Sequence, residues 1–141
     1  MDLSRLSQGE RAVFLAGAFL LVDLFFFPWH RLPLVALFVL RISDPTRTAI
    51  QSPHALQGTL AFLITVGMVA QVVMTRFSNQ KVNPRLARLQ PVAGMAVLAL
   101  LAWKLAIEPS YLSVGCYLGM LLAAALAYGG LVMGREGGSL R

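Results

Sequence analysis

Four stretches of this chain are almost continuously apolar, and everything between them is short, polar or basic. They run from about Ala12 to Trp29, Ala55 to Thr75, Pro91 to Ile107 and Tyr111 to Met133. A helix needs about 17–25 residues to cross a ~30 Å hydrocarbon core, and all four stretches fit. The pattern predicts an all-α membrane protein, with four transmembrane helices in one antiparallel bundle and a single domain over residues 1–141. A fifth apolar run, Leu32 to Ile42, is too short to span. It reads as an interfacial segment, a re-entrant segment, or a strand on the outer helix ends.

The connections differ in kind. "EPSY" is short enough to force helices three and four into a hairpin. "RFSNQKVNPRLARLQP" is polar and basic. The first connection, His30 to His54, is the longest and ends in the turn-rich "SDPTRTAIQSPH". The first apolar stretch has Arg5 and Arg11 before it, like a signal-peptide core. It is followed by "PWHRLP" rather than a small-residue cleavage site, and so reads as a retained helix.

Composition supports a lipid solvent. Of 141 residues, 57% are hydrophobic and 13% charged. A soluble fold this small could not hide that much apolar side chain. The net charge of +6 comes from basic residues flanking apolar runs, without interleaved aromatics, which argues against nucleic acid. Eight of the 12 Lys and Arg fall on one side: Arg5, Arg11, Arg76, Lys81, Arg85, Arg88, Arg135 and Arg141. The other side has Arg31, Arg41, Arg47 and Lys104. The positive-inside rule then places both termini and the second connection in the cytoplasm, and the long first loop outside the cell.

Few residues point to chemistry. Asp23 is a carboxylate inside the first span, where charge is costly. Lys104 lies at a similar depth in the third span, and the two are expected to form an intramembrane ion pair that orients helices one and three. The other reading of Asp23 is the titrating site of a small proton-coupled transporter. Trp29 and Arg31 read as interface anchors after the helix-ending Pro28, with Trp103 and Tyr111 in the same aromatic belt. Gly115, Gly119, Ala123 and Ala127 recur every four residues on helix four and predict a close helix-packing face. Gly94, Ala102 and Ala106 give helix three a weaker small face that would meet it. Gln57, Gln71, Thr59 and Thr65 read as helix–helix hydrogen bonders. His30 and His54, with Asp44 as the nearest carboxylate, are too few for a metal site. Cys116 is single and makes no intrachain disulfide. No cofactor motif or catalytic constellation is present, and no enzyme is expected.

"FFFPWHR", "TAIQSPHALQGTLAFL", "WKLAIEPSYLSVGCYLG" and "AAALAYGG" ending in "REGG" together resemble the small four-helix integral membrane proteins of actinobacteria that carry no assigned function. The resemblance covers most of the chain. It implies a bacterial inner membrane and the four-helix topology, with no activity or cofactor attached. Small multidrug-resistance transporters are similar in having four helices and an acidic residue in the first, but their loops are short and that residue is Glu. Claudin-like proteins share the long first outer loop but carry a Cys pair that this loop lacks. The expected function is a non-enzymatic accessory or scaffold subunit whose partners are the bilayer and another membrane protein or a second copy. The alternative is a dimeric proton-coupled transporter using Asp23.

A reporter fused after Asp44 is expected to behave as external, because about ten apolar residues reach only about 15 Å as a helix. A cytoplasmic signal would give the chain a fifth span and overturn the charge assignment.

Overall fold

The computed structural model describes residues 6–31, 46–51, 55–77, 84–107, 109 and 112–138. Among these residues are four helices, α1 (Gln8–Phe26), α2 (Ala55–Phe77), α3 (Pro84–Ile107) and α4 (Val114–Gly138). Two short strands, β1 (His30–Arg31) and β2 (Thr46–Arg47), lie between α1 and α2. The Leu32 to Ile42 run lies outside the described residues, as do His54, Asp44 and Tyr111. Its flanks are informative: β1 and β2 pair antiparallel, with His30 opposite Arg47 and Arg31 opposite Thr46. Residues 30–31 and 46–47 therefore lie side by side at one end of the bundle.

Local chemistry sets the limits of α1. Ser7 caps its first turn in a capping box with Glu10, each side chain bonding the other's backbone N–H. At the far end Phe27 precedes a proline, which disfavours helical backbone, and its φ of −83° and ψ of 141° are extended. The helix thus stops before Trp29, three residues short of the expected span end, and begins four residues before Ala12. Helix α3 also begins earlier than expected, at Pro84 rather than Pro91, and carries Pro91 in its interior. An interior proline removes one helical hydrogen bond and needs room for its ring. Gly134 supplies that room: a β-carbon there would lie 2.5 Å from Pro91 Cγ.

The four helices form a square. Helix α4 packs against α1 and α3, and α2 packs against the same two, so α1 and α3 stand on one diagonal. Sequential helices run in opposite directions. Arg76 at the end of α2 and Glu136 near the end of α4 both meet the start of α1.

Large and small residues are sorted by solvent. Phe19, Phe26, Val92, Tyr117, Leu121 and Tyr128 are exposed, Phe26 to 71%, while Asp23, Thr65, Gln90 and Lys104 are at most 1% exposed. Between these polar groups sit Val13, Leu20, Leu24, Val97, Leu101 and Leu126, all fully buried. A water-soluble bundle would place these classes the other way round. Among the described residues three helices, over Ala55–Arg76, Arg88–Ile107 and Val114–Glu136, are long and apolar enough to cross a membrane. Helix α1 carries three charges, Glu10, Arg11 and Asp23.

The small face of α4 is a close packing surface. Ala123 and Ala127 are buried, and a β-carbon on Gly94 of α3 would lie 2.8 Å from Ala127 Cα. Gly94→Leu is therefore expected to destabilise the bundle by about 1–3 kcal/mol through overpacking. Gly67 has nothing within 4 Å of such a carbon. There the same thermal-stability measurement in detergent is expected to show Gly67→Ala neutral or stabilising by up to about 1 kcal/mol, from helix propensity alone. Equal responses at the two positions would contradict this packing.

Candidate functional site

The most unusual polar arrangement lies at the end of the bundle where α1 stops. Pro28 turns the chain back, and the Trp29 side chain folds under it into the bundle, with no exposed surface. Its indole Nε1 donates a 2.9 Å hydrogen bond to Asp23 Oδ2, six residues earlier and 1% exposed. A buried indole N–H needs an acceptor and a buried carboxyl oxygen needs a donor, so each meets the other's requirement. The second oxygen, Asp23 Oδ1, is buried and accepts no hydrogen bond.

Gly119 of α4 admits this pair. A β-carbon at that position would strike the Trp29 ring and lie 2.5 Å from Asp23 Oδ2. One turn earlier, Gly115 leaves room for the Pro28 carbonyl, 2.7 Å from where its β-carbon would be. The backbone then ties three segments into a cap. Trp29 N–H donates to the Arg47 carbonyl at 2.8 Å, Ser113 N–H donates to the Trp29 carbonyl at 2.9 Å, and Gly115 N–H donates to the Pro28 carbonyl at 3.2 Å. Leu112 bridges His30. On the other side Gly58 of α2 packs directly beneath the Ala49 carbonyl.

Two expectations for this site need correction. Trp29 is not an interface anchor: it is wholly inside, because Asp23 offers its N–H a partner and Gly119 makes space for the ring. Arg31 is exposed, as an anchor would be, and so is Trp103. The partner of Asp23 is Trp29 rather than Lys104. Lys104 is indeed buried, at 1% exposure, but it belongs to α3, across the diagonal from α1. Helix one packs against helices two and four.

The other expected polar residues divide. Gln71 joins α2 to α3, accepting a 2.8 Å hydrogen bond from Gln90 Nε2, which also reaches the Met68 carbonyl at 3.4 Å. Thr65 instead bonds its own helix, at the Ala61 carbonyl, 2.7 Å away. Thr59 is exposed and Gln57 Oε1 is buried without a hydrogen bond. Cys116 is buried with a free thiol. Among the described residues no group of three His, Cys, Asp or Glu is placed to hold a metal ion.

The opposite end holds a network that sequence reasoning missed. Arg76 Nε donates to both carboxylate oxygens of Glu10, at 2.9 and 3.0 Å. Ser7 N–H donates to Glu10 at 2.8 Å, and the Ser7 hydroxyl donates to Glu136 at 2.6 Å. The Ser-x-x-Glu capping signature was legible locally. Its partners were not, since Arg76 and Glu136 lie 66 and 129 residues away along the chain.

The class this architecture defines is a small helical bundle with an apolar core that encloses several buried polar groups, large apolar side chains on its exterior and, among the described residues, three helices that are candidate membrane spans. No family model, no curated protein and no solved structure matches the chain.

Removing either partner of the Asp23–Trp29 bond strands the other's buried group, at a cost of about 1–3 kcal/mol. Asp23→Ala and Trp29→Phe are each expected to lower stability, and the double variant to lose less than the sum. The readout is a double-mutant cycle in detergent. Gly119→Leu is expected to expel the ring and red-shift Trp29 fluorescence in a Trp103→Phe background. Additive losses and an unmoved emission maximum would contradict the pair.

Proposed function

We propose that this chain is a four-span integral protein of the bacterial inner membrane, with both termini in the cytoplasm and the long first loop outside. In this reading it acts without catalysis, as an accessory or scaffold subunit that contacts another membrane protein or a second copy of itself. The observation that carries it is the sorting of side chains along the helices: Phe19, Phe26, Val92, Tyr117, Leu121 and Tyr128 are exposed, while Asp23, Thr65, Gln90 and Lys104 are buried. A lipid solvent rewards that order and water opposes it.

Helix α1 fits as the fourth span despite its charges. Glu10 and Arg11 lie in its first turn, at the membrane edge in this topology, and Glu10 is paired to Arg76. Only Asp23 lies deeper, and it faces the bundle rather than lipid. The chain's likeness to four-helix actinobacterial membrane proteins is consistent with the same placement.

One observation favours a second reading, the dimeric proton-coupled transporter with Asp23 as its site. Asp23 Oδ1 is buried and accepts no hydrogen bond, an arrangement a structural role alone does not require. On that reading Asp23→Asn abolishes a proton-driven flux while the fold remains intact.

Three measurements test the proposal. The protein is expected in the membrane fraction after alkaline wash. A Cys placed at Ser78, with Cys116 replaced, is expected to stay unlabelled by an impermeant reagent in intact cells. Purification in mild detergent is expected to recover a stoichiometric partner or a homo-oligomer. Labelling of the Ser78 position would overturn the topology. Asp23-dependent proton flux by a partner-free homodimer in vesicles, lost in Asp23→Asn with the fold intact, would replace the scaffold with the transporter.

A further inference from the structure

The α3–α4 seam, at the end of the bundle where α1 begins, combines unneutralised arginines with an apolar strip. Arg88 lies in the second turn of α3 and Arg135 in the last turns of α4, and both side chains are exposed. The two helices meet closely here: a β-carbon on Gly130 would lie 2.7 Å from the Gln90 carbonyl, and Gly134 abuts Pro91. At about 100° per residue, Arg88, Val92 and Met95 form one outward stripe of α3, and Tyr128, Leu131 and Arg135 one of α4. Both stripes lie on the outer side of the seam, since Gly94, Gln90 and Ala127 hold the inner side. Val92, Met95, Tyr128 and Leu131 are all exposed. Each arginine therefore stands at one end of an apolar ribbon.

The described acids at this end, Glu10 and Glu136, are engaged elsewhere. Glu10 accepts from Arg76, and Glu136 accepts from Ser7. Among the described residues neither Arg88 nor Arg135 forms an ion pair or a side-chain hydrogen bond. Two guanidiniums without a carboxylate, above a surface suited to acyl chains, complement a phosphate diester carrying two hydrocarbon tails.

We propose that the outer side of the α3–α4 seam binds an anionic phospholipid, with Arg88 and Arg135 holding its phosphate and the Val92–Met95 and Tyr128–Leu131 ribbon receiving its chains. This rests on the membrane reading above and goes beyond it, because general attraction to an acidic leaflet would involve every basic residue and this site involves two. In the proposed topology the seam lies in the cytoplasmic leaflet, where anionic lipid attracts basic residues between helix ends.

The test is lipid retention by the detergent-purified protein, read by native mass spectrometry with phosphatidylglycerol or phosphatidylcholine added. Phosphatidylglycerol is expected to stay bound where phosphatidylcholine does not. Each basic residue near an anionic headgroup is worth about a fivefold factor, so the R88Q/R135Q double variant should bind phosphatidylglycerol about 25-fold more weakly. Its thermal stability in phosphatidylcholine should match the parent, which excludes misfolding. Arg31→Gln, at the opposite end, should leave binding unchanged. Inorganic phosphate at the same concentration should not compete, since it lacks the chains. Equal retention of the two lipids, unchanged binding by R88Q/R135Q, an equal loss with Arg31→Gln, or displacement by inorganic phosphate would each overturn the site. A protein recovered in the soluble fraction without detergent would instead overturn the membrane reading itself.

Discussion

Helices solvated by lipid gain little from hiding leucine against one another, so they must be held where backbones nearly touch. In this chain that constraint falls on α4. Its glycines and alanines bring it against α1 on one side and α3 on the other: Gly129 nearly meets the backbone of Val13, and Ala127 meets Gly94. The large side chains of α4, Tyr117, Leu121 and Tyr128, are turned outward. With α4 set between its two neighbours, α2 closes the square, and α1 and α3 are left on a diagonal.

The same narrow face gives the Asp23 region its form. Because Gly119 has no side chain, the indole of Trp29 can lie between α1 and α4 and bond the carboxyl of Asp23. Once the ring is inside, the backbone from Pro28 to Arg31 is drawn across the helix ends, where it pairs with Thr46–Arg47 and with Leu112 and Ser113. One missing side chain on α4 thus connects a charge inside a helix to the order of three connecting segments. The cost of a buried carboxyl is partly offset at Oδ2, where the indole N–H donates, and not at Oδ1.

Polar contacts occur in layers along the interior. Glu10 with Arg76 closes one end, Gln71 with Gln90 joins α2 to α3 farther in, and Asp23 with Trp29 lies at the other end. Leu20, Val97, Leu101 and Leu126 fill space between them. Such layers specify which helices are neighbours, since an amide or carboxyl matched to the wrong helix would be left without a partner. A scaffold needs this fixed geometry. A transporter would have to open a path through the apolar layer.

The apolar runs alone determined that the chain forms long helices, and the repeat of Gly115, Gly119, Ala123 and Ala127 determined that α4 would be closely approached. Both are properties of single segments, and hydrophobic length and small-residue spacing report them directly. The limits of α1 and α3 were less legible, because Pro28 acts through the residue before it and Pro91 is tolerated only where Gly134 leaves space. The identity of neighbours was decided by the tertiary structure. Depth along a helix can be counted from sequence, so Asp23 and Lys104 seemed matched. Which helices share an edge of the square depends on backbone approach summed over all four, and that put α1 against α4 and the Asp23 carboxyl against Trp29. Trp29 looked like an interface residue because its surroundings in the chain are those of a helix end. Its burial depends on a glycine 90 residues away, which no local pattern records.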